Sequence, residues 1–150
     1  MLKADIDQDL KKALLAGDKV LATTLRGLKS VILYAEVAEG KRENGLSDDE
    51  IIVLLSKEAK KRQESADLYT QGGAPERAEA ELAEKKAIEK YLPQQLSDDE
   101  LAAIIDEAIA AVPATGPAAM GQVIGKVKEK TIGQADGARI AAAVKERLSR

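Results

Sequence analysis

The sequence predicts an all-α protein, and three observations carry that reading. The apolar fraction leans on alanine backed by Leu, Ile and Val, and the aromatic side chains are Tyr34, Tyr69 and Tyr91 in 150 residues. Alanine is the strongest helix former, so such a composition favours helices over sheet. Apolar residues recur at helical spacing through most of the chain, and no segment alternates convincingly at period two. Finally, the pentapeptide LSDDE occurs twice, at Leu46–Glu50 and Leu96–Glu100, and each copy has the chemistry of a helix start.

Taken in order, Leu2, Ile6, Leu10 and Leu14 line a short first helix that ends near Gly17, a suitable residue just past a C-cap. Asp18 is placed to cap a longer second helix, in which Leu21, Leu25, Leu28, Ile32 and Ala35 form a 4-3-4-3 seam for packing against another helix. The segment GKRENG, residues 40–45, is a polar turn.

The first LSDDE then opens the third helix. Ser47 as N-cap and Glu50 three positions on make a capping box, which satisfies two backbone N–H groups the helix leaves unpaired. Leu46 and Ile51 bracket the cap as a hydrophobic staple, and Asp48 and Asp49 complement the positive end of the helix dipole. The second copy repeats every role through Leu96, Ser97, Glu100 and Leu101. The runs that follow the two copies, IIVLLSKEAK and LAAIIDEAIA, share little beyond periodicity. Domain duplication is therefore not indicated, and three successive acids on one helical turn splay apart and do not converge on a metal.

The third helix runs to about Thr70, with Ile52, Leu55, Ala59, Arg62, Ala66 and Tyr69 as its core-facing row. Arg62 is read as laying its stem on the core and its head in water or on a carboxylate; the alternative is that it faces a functional groove. QGGAP breaks the chain, and Pro75 sits at the first position of a fourth helix holding Ala78, Leu82, Ala83 and Ile88. That helix stops at Tyr91-Leu92 because the residue before Pro93 avoids α geometry. A fifth helix starts at Ser97 and presents Leu101, Ile104, Ile105, Ala108 and Ile109. VPATGP, residues 112–117, separates it from a sixth carrying Met120, Val123, Ile124 and Val127. TIGQADG leads to a last helix capped by Asp136, with Ile140, Val144 and Leu148 at i,i+4 spacing.

Composition also removes chemistry. The chain has no His and no Cys, so imidazole catalysis, thiolate nucleophiles, disulfides and zinc-finger ligation are unavailable. No metal or other cofactor is expected. No stretch approaches the ~18 apolar residues of a membrane span, and the N-terminus MLKADIDQDL lacks an apolar leader. A cytoplasmic protein with no membrane contact is the default expectation. GQVIGKV, residues 121–127, imitates a phosphate loop but is one residue short, ends in Val and follows no strand. Its helical reading is that Gly121 and Gly125 give one bare face on which a neighbouring helix can come close.

Charge is uneven. Residues 113–150 carry seven basic and three acidic side chains, although starting at Gln94 brings in five more acids. The basic character therefore belongs to the last two helices. A basic face can neutralise phosphates, and an ordinary solvated helix surface is the competing reading. Without stacking aromatics beside these lysines, recognition of splayed single-stranded bases is not expected; shape and backbone recognition of a folded RNA remains open. KEAKKRQES, residues 57–65, mixes like and opposite charges as a solvated surface does.

Three stretches, YLPQQLSDDEL, MGQVIGKVKEK and GQADGARIAAAVKERL, follow in this order an N-terminal half carrying KEAKKRQESADLY. Together they resemble the GatB/YqeY family over essentially the whole chain. One kind of member is the C-terminal tail of the B subunit of glutamine-dependent tRNA amidotransferase; the other is a free-standing YqeY-like protein, which this chain resembles because it lacks the large catalytic domain. The resemblance implies an N-terminal helical domain over residues 1–92 containing a long helical hairpin, and a three-helix domain over residues 93–150. It also implies contact with tRNA through the basic C-terminal domain.

The family pattern falls on Met120, Gly121, Gly133, Ala135, Asp136, Gly137, Val144, Lys145 and Leu148. Gln134 stands where members often have a basic residue, which weakens phosphate contact at that turn. The expected function is a non-catalytic tRNA-associated module, with Lys126, Lys128, Lys130, Arg139 and Lys145 approaching phosphates. A protein-interaction adaptor using the groove between the two helical halves is the alternative. An amidotransferase-linked activity with glutamine as amide donor has least support, because no spacing singles out an acid–base pair.

Overall fold

The computed structural model describes residues 1–113 and 116–149, and among these the chain forms seven α-helices and no strand. It divides into two compact units, Met1–Leu92 and Pro93–Arg150. Residues 114 and 115 of the VPATGP break, and Arg150 of the basic tail, lie outside the described residues.

The first unit contains α1 (Leu2–Leu15), α2 (Lys19–Ala38), α3 (Asp48–Gln71) and α4 (Pro75–Glu89). α1 closes in a full Schellman motif: Asp18 donates its amide to Ala13 and Gly17 to Leu14. Gly17 takes φ +71° there, a conformation a Cβ would strain. Asp18 then caps α2 by accepting from the Leu21 amide at 3.1 Å. The α2 seam buries Leu25, Leu28 and Ile32 against Ile6, Leu10 and Ala13 of α1, with Ile51 and Leu55 of α3 and Ile88 of α4 completing the core.

The capping box of α3 is present in full. The Ser47 hydroxyl accepts from the Glu50 amide at 3.2 Å, and the Glu50 carboxylate accepts from the Ser47 amide at 2.8 Å. Leu46 and Ile51 are both buried, as the staple requires. Past Leu55 the hairpin of α3 and α4 continues on small residues, with Ala59, Ala66 and Ala78 buried between the helices. Two of the apolar residues read onto α4, Leu82 and Ala83, are exposed. A two-helix arm offers α4 one narrow buried line, and that line runs through Ala78 and Ile88.

The second unit contains α5 (Asp98–Ala111), α6 (Pro117–Lys130) and α7 (Gly137–Leu148) around Leu101, Ile105, Ala108, Val123, Val127, Ile140 and Val144. The second capping box is also complete, with Ser97 and Glu100 exchanging bonds of 3.1 and 3.0 Å. Asp136 caps α7 through the Arg139 amide at 2.7 Å. Beyond Pro93, the segment entering α5 is tied to the α6–α7 turn: Leu96 donates its amide to the Gln134 carbonyl at 2.9 Å, and Gln95 donates to the Gly133 carbonyl at 2.7 Å. Position 134, where a basic residue would be expected, thus contributes its backbone to the fold.

One expectation fails here. Gly121 and Gly125 meet no neighbouring helix; a Cβ at either would have nothing within 4 Å. α6 packs through Ala119, Val123 and Val127, and the glycines lie on the opposite, solvent side. The spacing was compatible with close approach, but the larger apolar residues determine which face is buried.

Candidate nucleic-acid interface

The sequence-derived basic residues sit on α6 and α7 but not on one face. Relative to the buried line of α6, Lys126 and Lys130 lie four residues apart on one flank. Lys130 comes within 3.9 Å of Glu107 of α5, which identifies that flank as the α5 side. Lys128 is two residues from each, so it emerges on the other flank, where its terminal Cε and Nζ lie 3.5 Å from the position a Cβ would take on Gly137 of α7. Lys126, Lys128 and Lys145 are exposed and form no ion pair among the described residues.

On α7 the two arginines turn toward α5. Arg139 donates to Asp98 at 2.7 Å. Arg147 grips Asp106 through two bonds, one of 2.9 Å from Nε and a second, shorter one from the guanidinium terminus. That fork raises the Arg147 pKa further above its already high value, the Asp106 hydrogen bonds being the main cause. Arg139 is thus engaged in holding α7 to the start of α5. Lys145 lies elsewhere, at the rim of an open depression lined by Ile109, Val112, Met120 and Leu148.

Between the two lysine flanks, the outward face of α6 carries Ala118, Gly121, Gln122 and Gly125 and, at its C-terminal end, Glu129, all exposed. A rod-like polyanion meeting the Gly121–Gly125 stretch of this face would find little side-chain bulk in its way and an ammonium on either side, with the Glu129 carboxylate limiting the contact at the C-terminal end. Sequence reasoning found the lysines but treated the glycines as packing residues.

Of three polar clusters in the first unit, two escaped the sequence reading because each joins residues far apart in the chain, and the third gathers carboxylates around Arg62. Glu36, 1% exposed, is held by Lys3 at 2.7 Å. Asp9 accepts from the Tyr91 hydroxyl at 2.5 Å and lies 3.4 Å from the Lys90 ammonium. Arg62 sits among Glu58, Glu81 and Glu84, closest to Glu84 at 2.9 Å. Of the two readings offered for Arg62, the stem-on-core, head-on-carboxylate arrangement is the one observed. The Arg62 Nε contact with Glu84 is an ion pair without hydrogen-bond geometry, since that nitrogen has no aligned acceptor. Among the described residues no group of three or more His, Cys, Asp or Glu side chains is arranged to hold a metal ion, and no described helix is long and apolar enough to cross a membrane.

The Yqey-like protein family model matches residues 3–148. The chain belongs to that family. Among curated relatives of this YqeY-type protein are the proteins named "Altered inheritance of mitochondria protein 41, mitochondrial". That of Eremothecium gossypii is 31% identical over 87% of this chain and 72% of its own length. That of Lachancea thermotolerans is 35% identical over 61% and 48%, and that of Kluyveromyces lactis 29% identical over 86% and 70%. These names overturn the cytoplasmic default, since the relatives point to mitochondria instead. The default rested on a missing apolar leader, which speaks to secretion and is silent on basic amphipathic targeting segments.

Proposed function

We propose that this YqeY-type protein is a non-catalytic module that associates with tRNA through α6 and α7 of its C-terminal unit. The supporting observation is the outward face of α6, where Gly121 and Gly125 leave the backbone bare and the exposed Lys126 and Lys128 stand on opposite flanks. Lys145 adds a separate cation on α7, beside the depression lined by Ile109 and Met120. Arg139 and Lys130, each already facing a carboxylate, contribute less. With the aromatic inventory limited to three tyrosines in the first unit, the interaction is with backbone and shape, not with stacked bases.

Filter binding of tRNA across a salt series tests this reading. Log affinity falls linearly with log salt, and Lys126→Gln or Lys128→Gln each lowers the slope by about 0.9 or less, because each ammonium displaces about one condensed counterion. Arg139→Gln moves the slope less. Binding at low salt no stronger than that of a neutral helical protein overturns the proposal. A protein captured equally well at high salt and after nuclease treatment, with no RNA bound, replaces it with the adaptor reading.

A further inference from the structure

Helix α2 has two unlike faces. One is the buried seam through Leu25, Leu28 and Ile32. The other, turned to solvent, carries Val20, Thr23, Gly27, Ser30, Tyr34 and Val37, all six exposed and none charged, with the exposed Arg26 along one border. One third of this chain's residues are charged, and a solvated helix face normally carries most of them. This uncharged stripe runs the length of a 20-residue helix, about 30 Å. Val20 is 71% exposed, Tyr34 76% and Val37 55%, so the stripe includes large side chains that gain nothing from water.

The order of these residues identifies what covers them. Their spacing is 3-4-3-4-3, the a/d pattern of a helix that packs against another. It reads the same in both directions, so two copies laid antiparallel about a two-fold axis between Leu28 and Lys29 stay in register along their length. In that register Val20 faces Val37 of the second copy, Thr23 faces Tyr34, and Gly27 faces Ser30. Each large residue meets a smaller or equal one, and the smallest pair falls at the crossing point, where helices approach most closely. Such a contact is isologous: every residue that meets another is met by it in return.

Antiparallel pairing also sets the two helix dipoles head to tail, whereas parallel pairing would place like ends together. Val20, Tyr34, Val37 and the adjoining Leu33 leave roughly 400 Å² per copy uncovered, so about 800 Å² for two before the central residues are counted, close to the ~1,000 Å² of a specific interface.

We infer that α2 is a self-association surface, through which two copies of this chain pair antiparallel across Gly27 and Ser30. The full-length protein then sediments as a concentration-dependent dimer over about 1 μM to 1 mM. Tyr34→Glu weakens association at least about tenfold, as expected for an aromatic at the heart of a contact, while far-UV circular dichroism stays unchanged because the position is outside the core. The chain has no cysteine of its own, so geometry can be read by oxidative cross-linking. A Val20→Cys, Val37→Cys double variant forms covalent dimers. Val20→Cys alone does not, its counterpart lying about 25 Å away. A monomeric mass at every concentration overturns the inference, and so does efficient cross-linking of the single variant.

Discussion

The backbone amide of Leu2 donates to the Asp48 carboxylate at 3.1 Å, across forty-six positions of sequence. Met1, the residue at the α1 N-cap, makes no side-chain capping bond, so α1 takes its anion from the first turn of α3. The first LSDDE therefore serves the N-termini of two helices. Its counterpart in the second copy, Asp98, turns instead to Arg139. Asp48→Ala is expected to lower stability by about 0.5–1 kcal/mol, the value of an N-terminal anion at a partly exposed site. Asp98→Ala removes an exposed ion pair and one of three first-turn carboxylates of α5, and costs less, about 0.3 kcal/mol. Urea unfolding of the two variants, followed by circular dichroism, checks the ordering.

Ser47 and Ser97 permit a matched comparison, because both boxes are complete. Replacing either serine by alanine leaves one helix-end N–H without its side-chain acceptor and costs about 1 kcal/mol. Replacement by threonine or aspartate keeps the acceptor and costs less. Thermal unfolding of the six variants measures this, and equal loss for alanine and aspartate would contradict the cap assignment. At Ser47 the box is reinforced: the Lys41 ammonium beside Glu50 is the main cause holding that carboxyl below its ordinary range.

What the sequence made legible was local. Caps, staples and C-terminal glycines each depend on residues within a turn or two, so Ser47, Ser97, Asp18 and Asp136 could be assigned from spacing alone. Choices of face were harder. Gly121 and Gly125 were compatible with close packing, yet α6 buries Val123 and Val127 and turns the glycines outward. The candidate lysines were identifiable by type, but the two-residue step from Lys126 to Lys128 already placed them on different flanks. Contacts across long separations, such as Lys3 with Glu36 or Asp9 with Tyr91, leave no pattern in a single sequence. The outer stripe of α2 acquires meaning only once the buried seam beside it is known.

Glu36 illustrates what such a hidden pair contributes. Its side chain is 2% exposed, whereas that of Lys3 is 46% exposed. Lys3→Met strands a carboxylate among apolar neighbours. Water reaching the lysine end softens the loss below the ~3–5 kcal/mol of a fully buried pair, to about 2 kcal/mol. The double variant Lys3→Met, Glu36→Gln recovers part of it by removing the stranded charge. Chemical denaturation of the single and double variants gives the coupling, and simple additivity would show that Glu36 does not depend on Lys3.

Arg62 governs the arm of α3 and α4 in a similar way. It stands among Glu58, Glu81 and Glu84, with Glu58 buried. Arg62→Ala removes the cation and leaves three carboxylates facing one another where the helices touch. Amide hydrogen exchange should accelerate over residues 59–70 and 75–84, while the core around Leu25 and Ile32 keeps its protection. Arg62→Lys restores charge without the planar fork and recovers the protection only in part. Uniform acceleration through the whole first unit would refute a local role.

Tyr91 and Asp9 give the fold a pH signature. The Tyr91 hydrogen bond is the main cause lowering the Asp9 pKa from its ordinary 3.8, with Lys90 adding to it. A carboxyl whose folded pKa is depressed contributes stability above its unfolded pKa, and that contribution is lost as pH falls through the folded value. Below about pH 4 the wild type therefore loses this increment. Tyr91→Phe, which costs about 1 kcal/mol near neutrality, loses less on acidification, so the two proteins converge in acid. At the alkaline end burial, and then Asp9, push the Tyr91 phenol upward. Its unfolded pKa is about 10, so the folded state resists its ionisation and stability declines as pH rises beyond that. Urea denaturation from pH 3 to 7 for both proteins, with absorbance titration of the tyrosinate difference above pH 10, tests both limbs. A constant gap between the two proteins down to pH 3 would mean that Asp9 does not depend on this hydroxyl.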